Sequence, residues 1–221
     1  MVKINIVGVG PGSPDYVTPA ARKAVQTAQV VVGAQRSIDL FQPNIKGETL
    51  LLTAKNLQDA IKYAAESAKK GKTVTLLSTG DPGFSGLLHT VLKSGLTTNV
   101  EINVVAGVSS IQACAARLNL SWDGACLFTF HEGNVTPEQK NHLVFCLKNG
   151  KDVILLPDAR AFPPKEIAAF LINEGISKKS NVYICENLTL EKEKVTESCL
   201  EDIVGLAFTS LCVMVIKPST N

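Results

Sequence analysis

The chain opens with Met1-Val2-Lys3-Ile4-Asn5-Ile6-Val7-Gly8-Val9-Gly10-Pro11-Gly12-Ser13, an apolar run that leads directly into a glycine-rich loop. A short run of this kind is typical of a strand that is covered on both faces. Glycines placed directly after a strand allow a tight turn and let the backbone approach a ligand closely. The stretch therefore predicts a buried strand over Lys3–Val9, with a candidate ligand-binding loop at its carboxyl end.

Strands and helices alternate through the first half of the chain. Two helices have recognisable starts, because Thr18 precedes Pro19 and Asn56 precedes an apolar helical pattern, so both residues are expected to act as N-caps. The further predicted strands are Gln29–Val32, Glu48–Leu52, Thr73–Ser78 and Val100–Val105. Alternation of this kind predicts a parallel sheet with right-handed crossover helices.

The second half of the chain has a different spacing. Thr136-Pro137-Glu138-Gln139 predicts a capping box at the start of a helix. The strands predicted after it lie too close together for a helical crossover at every step: Asp152–Leu156, Asn181–Glu186, Lys194–Glu197 and Leu211–Ile216. Some neighbours must then be antiparallel, which predicts a mixed sheet. We therefore expect an α/β protein of two α/β lobes, 1–118 with a mainly parallel sheet and 119–221 with a mixed sheet, joined near Asn119–Gly124.

Composition narrows the class of protein. With 45% hydrophobic and 19% charged residues among 221, the chain is expected to fold rather than remain disordered. The net charge of +2 argues against a nucleic-acid partner, since such proteins usually carry a strong basic excess. No apolar run approaches the ~20 residues of a membrane span, and the amino terminus lacks signal-peptide features, which predicts a cytoplasmic protein. Three histidines without ligand spacing, and six cysteines without a Cys-x-x-Cys pair, predict no protein-bound metal.

Two further loops rich in glycine and serine follow predicted strands. Ser78–Phe84 places Asp81 between Gly80 and Pro82, where the carboxylate either accepts hydrogen bonds from a ligand or caps the next helix. Ala106–Ser110 provides either a polar floor to the same cleft or a serine N-cap. Because ligands bind at the carboxyl ends of strands in open α/β sheets, the three loops together indicate one site.

The first loop argues against a dinucleotide site. Its pattern is Gly-x-Gly-x-Gly instead of Gly-x-Gly-x-x-Gly, and Pro11 removes one backbone amide. The stretch around Val30–Val32 offers no acidic residue for a ribose. A nicotinamide-dependent oxidoreductase is therefore a disfavoured alternative.

The order of these loops resembles the tetrapyrrole methylase family, whose members use S-adenosylmethionine. The resemblance rests on Gly-x-Gly-Pro-Gly-x-Pro at 8–14, Gly-Asp-Pro at 80–82 and Gly-Val-Ser-Ser at 107–110. Val108–Gln112, Trp122 and Phe130-His131 are most similar to the branch that methylates C5 of a precorrin. The resemblance implies methylation of a small-molecule tetrapyrrole, namely a cobalt-precorrin, in anaerobic cobalamin synthesis, and it implies a homodimer.

The resemblance also implies a set of site residues, in which the second lobe completes the cofactor site. The implied cofactor-binding residues are Pro11, Gly80, Asp81, Phe84, Ser109, Ser110, Ile111, Leu156, Asn187 and Leu188. Arg36 and Arg117, two of the four arginines, are candidates for binding substrate carboxylates. His131 is the candidate for proton transfer, since it ends a predicted strand and an imidazole is the commonest general acid or base, although a polar strand cap is an equal alternative.

One departure from the family pattern concerns the substrate. Relatives usually read Ser-x-His-Gly-Arg where this chain has Phe130-His131-Glu132-Gly133-Asn134. Loss of the arginine leaves the exact substrate open. Alternative substrates on the same fold are uroporphyrinogen, another precorrin position, a diphthamide precursor and ribosomal RNA, of which the RNA is disfavoured by the charge balance. It also leaves open a non-catalytic ligand-binding module.

Overall fold

The computed structural model describes residues 3–131 and 135–218. It divides into two compact units, Met1–Ser109 and Ser110–Asn221. This division falls before the predicted one after residue 118. The physical reason is that the helix Ser110–Arg117 packs against strands of the second unit.

The first unit is a five-stranded parallel sheet with helices on both faces. The sheet order is β3-β2-β4-β1-β5, and every neighbouring pair is parallel, which confirms the predicted parallel sheet. The strands are β1 (Lys3–Gly8), β2 (Val30–Gly33), β3 (Glu48–Leu51), β4 (Val74–Ser78) and β5 (Glu101–Val105). The helices are α1 (Pro19–Gln26), α2 (Gln35–Asp39), α3 (Leu57–Lys69) and α4 (Leu87–Lys93), with short 3-10 turns at Pro14–Tyr16 and Gln42–Asn44.

Strand β1 is buried because it presents apolar side chains to both faces of this sheet. Ile4 and Ile6 belong to a cluster that includes side chains of α3, whereas Val7 belongs to a second cluster that includes α1. Thr18 caps α1 as predicted, since its hydroxyl accepts the Ala21 N–H at 3.1 Å. Asn56 occupies the predicted N-cap position of α3, but the capping bond expected of it is wrong, because its carboxamide oxygen accepts the N–H of Thr53 in the preceding turn at 2.7 Å.

The second unit is a five-stranded mixed sheet in the order β6-β7-β10-β8-β9. Strands β6 and β7 are parallel and the other three neighbouring pairs are antiparallel, which confirms the predicted mixed sheet. The strands are β6 (Cys126–Thr129), β7 (Val153–Leu156), β8 (Asn181–Glu186), β9 (Lys194–Cys199) and β10 (Cys212–Lys217). The helices are α5 (Ser110–Arg117), α6 (Pro137–Lys148), α7 (Pro164–Asn173) and α8 (Leu200–Ile203).

Local sequence signals position the helices of the second unit. The Thr136 hydroxyl accepts the Gln139 N–H while the Gln139 side chain accepts the Thr136 N–H, so α6 begins with the predicted capping box. Leu143 and Leu147 of α6 are buried in one apolar cluster with the strands. Within residues 3–131 and 135–218, no helix is both long enough and apolar enough for a membrane span.

Candidate functional site

The first unit brings two of the predicted loops into direct contact. Because the sheet is parallel, the loops after β1, β4 and β5 leave from the same edge. Gly10 and Gly80 exchange backbone hydrogen bonds, the Gly80 N–H donating at 2.9 Å and the Gly10 N–H at 3.3 Å. The loops after β1 and β4 are therefore joined through their main chains.

The loop after β5 packs against the other two so closely that side chains are excluded. A Cβ atom on Gly107 would lie 2.4 Å from the Gly80 carbonyl oxygen and 2.7 Å from the backbone of Gly8. A Cβ atom on Gly8 would lie 2.5 Å from the Gly107 nitrogen. Every one of these neighbours is a backbone atom, so none can rotate away. The glycines permit three backbones to meet at one point.

Asp81 connects two of these loops through its carboxylate. One oxygen accepts the Gly83 N–H at 2.8 Å, and the other accepts the Gly107 N–H at 3.0 Å. The side chain does not cap α4, whose N-cap is Gly86. Each carboxylate oxygen has a second lone pair, so the half-buried Asp81 holds the loops together and can still accept a hydrogen bond from a ligand.

The other predicted residues of the first unit lie on the same set of loops. Pro11 directly follows Gly10 and is half-buried, as is Phe84 in the loop after β4. Ser109 ends the loop after β5 and is 8% exposed. Arg36 is exposed on α2, which follows β2 and therefore begins at the same edge of the sheet.

The second unit also gathers predicted residues at one sheet edge. Strands β7 and β8 each pair antiparallel with β10, and β6 is parallel to β7, so all three end on the same side. His131 follows β6, Leu156 ends β7, and Asn187 with Leu188 follows β8. Ser110 and Ile111, by contrast, begin α5, and Ile111 is buried at 2% exposure.

His131 is exposed and contacts the loop that follows β7. Its Nδ1 lies 3.3 Å from the carbonyl oxygen of Pro157, a geometry that suits the tautomer with a proton on Nδ1. That tautomer leaves Nε2 as the basic atom. The neighbouring Asp158 accepts the backbone N–H groups of Ala161 and Arg160 at 2.7 and 2.8 Å, and these bonds lower the pKa of its carboxyl group. Glu132, Gly133 and Asn134 lie outside the described residues.

The turn after β8 has an unusual backbone. Asn187 and Thr189 both adopt left-handed conformations, with φ of 51° and 67°. The Asn187 N–H donates to the Leu211 carbonyl at 2.8 Å, and Leu188 between the two is 5% exposed. A positive φ is uncommon outside glycine and is an outlier for a β-branched residue such as Thr189, so other contacts must hold this turn.

Glu193 supplies one of the contacts that hold this turn, and sequence reasoning did not identify it. One carboxylate oxygen accepts the Thr189 N–H at 2.7 Å, and the other accepts the Arg117 Nε–H at 2.8 Å. Arg117, expected to bind substrate, thus has a protein partner that lies far from it in the sequence. No local sequence pattern connects the two residues. Nothing in the spacing of charged residues pointed to this pair.

The buried thiols are poor candidates for a nucleophile. A hydrogen bond between Cys114 and Cys185 raises the pKa of Cys114 and lowers that of Cys185, and neither side chain reaches solvent. Burial raises the pKa of Cys212 to about 12. Among the described residues, one group could offer three metal ligands, Cys199, Glu201 and Asp202, but Glu201 there is paired with Lys179.

Comparison with known proteins agrees with the resemblance. Residues 3–204 match the family described as Tetrapyrrole (Corrin/Porphyrin) Methylases. A protein of Methanocaldococcus jannaschii named probable cobalt-precorrin-7 C(5)-methyltransferase is 40% identical over 215 residues, covering 97% of each chain. The cobalt-precorrin-7 C(5)-methyltransferase of Salmonella typhimurium is 30% identical over 193 residues, covering 87% of this chain and 88% of that one.

A solved structure shows the same fold. The uroporphyrin-III C-methyltransferase of Thermus thermophilus, complexed with S-adenosylhomocysteine, superposes with a TM-score of 0.77. The superposition covers 97% of each chain, at 21% sequence identity. At that identity the likeness establishes the architecture alone.

Proposed function

Because the chain belongs to the tetrapyrrole methylase family, we propose that it transfers a methyl group from S-adenosylmethionine to C5 of a cobalt-precorrin, as a step of anaerobic cobalamin synthesis. The observation that carries this proposal is the 40% identity, over 97% of both chains, to a relative named for that reaction on cobalt-precorrin-7. The enzyme is an S-adenosylmethionine-dependent C-methyltransferase. It acts in the cytoplasm as a homodimer on a small-molecule tetrapyrrole.

The loops of the first unit suit S-adenosylmethionine. Gly8 and Gly107 let the three loops pack backbone against backbone, and Asp81 presents carboxylate oxygens at this junction. Pro11, Phe84 and Ser109 border these loops, and Ser110, Ile111, Leu156, Asn187 and Leu188 are the cofactor-binding residues proposed for the second unit. The bound cofactor supplies an electrophilic methyl group on its sulfonium.

The protein's contribution to such a reaction is orientation and exclusion of water. Holding two reactants in a near-attack pose removes several kcal/mol from the barrier, about 7–11 kcal/mol in well-oriented cases. The interlocked loops, with three backbones and one carboxylate in mutual contact, are suited to holding such a pose. No protein nucleophile takes part.

Two residues are proposed to act on the tetrapyrrole. Arg36 is exposed at the edge of the first sheet where the loops converge, and a guanidinium there can form paired hydrogen bonds with a carboxylate. His131 is proposed to receive the proton that the ring carbon releases, through Nε2, while Nδ1 is held by Pro157.

Titration calorimetry with S-adenosylhomocysteine tests the proposal, with NAD as the control ligand. We expect saturable binding of S-adenosylhomocysteine at one site per chain and no binding of NAD. The Asp81→Ala variant should bind more weakly than the wild type, because the loop after β5 loses its tether. Binding of NAD alone would contradict the proposal and restore the oxidoreductase alternative. Light scattering on the same sample measures the homodimer directly.

A further inference from the structure

Arg117 and Glu193 form an ion pair that joins two segments of the proposed cofactor site. Arg117 lies in the last turn of α5, the helix that begins at Ser110 and Ile111. The turn that contains Leu188 is closed by the Leu190 N–H, which donates to the Asn187 carbonyl at 3.0 Å, and Glu193 ends the next turn, since its own N–H donates to the Leu190 carbonyl at 2.9 Å. The bond from Arg117 Nε to Glu193 at 2.8 Å therefore fixes this turn relative to the helix.

The same carboxylate holds the strained part of the turn. Thr189 has a φ of 67°, which a β-branched residue adopts only when its surroundings enforce it. Its N–H donates to the second oxygen of Glu193 at 2.7 Å. With 25% of its side chain exposed, Glu193 is sheltered enough for both charge-assisted bonds to persist.

We infer that Glu193 and Arg117 are positioning residues, which act through the Asn187–Thr189 turn to hold Leu188 in its cofactor-binding position. This inference rests on the proposed function. It also revises the role expected of Arg117, whose guanidinium is directed to Glu193 and serves the cofactor side of the site. Arg36 stays a proposed substrate-binding residue.

The test compares Glu193→Gln with Glu191→Gln, a matched control. Both changes remove one negative charge from the same turn, but Glu191 is exposed and is not bonded to Thr189 or Arg117. In Glu193 the two donors bind different oxygens, and a glutamine places an NH2 group at one of these positions, where it faces a donor and cannot accept. We expect Glu193→Gln to weaken S-adenosylhomocysteine binding on the order of tenfold, as for loss of one hydrogen bond to a charged group. Glu191→Gln should bind like the wild type.

Steady-state kinetics separate positioning from a general loss of stability. In Glu193→Gln and in Arg117→Gln, the KM for S-adenosylmethionine should rise while the KM for the tetrapyrrole stays unchanged. The double variant should be no weaker than the worse single variant, since both changes break the same pair. Arg117 is 57% exposed, so Arg117→Gln keeps the test available even if the Glu193 variant folds poorly.

The outcomes distinguish this inference from the proposed function. If the wild type does not bind S-adenosylhomocysteine, the proposed function fails and this inference falls with it. If the wild type binds but Glu193→Gln binds equally well, only the positioning role is overturned. A rise in the KM for the tetrapyrrole in Arg117→Gln, with no change for S-adenosylmethionine, would return Arg117 to the substrate.

Discussion

Replacing Gly107 by alanine should separate the three loops of the first unit. The new Cβ would lie 2.4 Å from the Gly80 carbonyl oxygen, about 0.9 Å short of an ordinary C···O contact of ~3.3 Å. The atoms it meets belong to the backbones of Gly80 and Gly8, so the loops themselves must move apart. Overpacking of this kind costs about 1–3 kcal/mol. For a chain of this length that lowers Tm by about 2–12 °C.

The catalytic effect of Gly107→Ala should exceed the effect on stability. A misplacement of ~1 Å in a site that works by orientation lowers the rate about 100-fold. The assay is kcat/KM for methyl transfer, with thermal unfolding on the same sample. Gly124→Ala is the control, because a Cβ there meets no atom within 4 Å. Wild-type kcat/KM and Tm in Gly107→Ala would refute the argument that these glycines set the geometry of the site.

Three further predictions concern stability and thiol chemistry. Thr136→Ala removes the capping box of α6 and should lower the free energy of unfolding by about 1 kcal/mol in urea titrations, while S-adenosylhomocysteine affinity stays unchanged; a loss of affinity would contradict this. Two backbone N–H groups lower the pKa of the Asp158 carboxyl group in the folded protein. The ionised carboxylate therefore stabilises the fold at pH values above 3.8, its pKa in the unfolded chain, and this stabilisation is lost as the pH falls through the lowered pKa. Thermal unfolding should therefore show a Tm deficit for Asp158→Asn at pH 7 that shrinks in acid, and a constant deficit would oppose this linkage. Burial raises the pKa of Cys146 and Cys212 to about 12. Mass spectrometry should therefore find both thiols unmodified by iodoacetamide at pH 8 until urea is added. Rapid labelling of either thiol in the native protein would count against the packing described.

Most of the fold follows from local sequence signals. Runs such as Val30–Val32 and Thr73–Ser78 predict buried strands because side chains on both faces are apolar, and the structure has strands there. Thr18 and Thr136 cap helices as predicted, since an N-cap bond lies within three residues of chain. Asn56 fails as a cap because its carboxamide has a competing donor in the preceding turn.

Short elements and tertiary contacts could not be predicted in the same way. Helix α8, four residues long, carries too little periodicity to be recognised. The order of strands in either sheet is set by packing among distant segments, and so is the boundary of the units, because α5 packs on β7 and β10.

The candidate site shows the same difference between local features, which could be predicted, and long-range contacts, which could not. Its loops were predictable, because glycines and a carboxylate after parallel strands form a local pattern. The bond from Gly107 to Asp81 was not, and neither was the pairing of Arg117 with Glu193. These contacts join residues that are far apart in the chain, and only the folded backbone brings them together.

Methyl transfer to cobalt-precorrin-7 tests the central claim most directly. The purified protein is incubated with this substrate and S-adenosylmethionine that carries a 13C-labelled methyl group, and the product is examined by mass spectrometry and NMR. We expect a single labelled methyl group per product molecule, attached at C5. Label at a different ring carbon, or binding of S-adenosylhomocysteine with no transfer to this substrate, would contradict it.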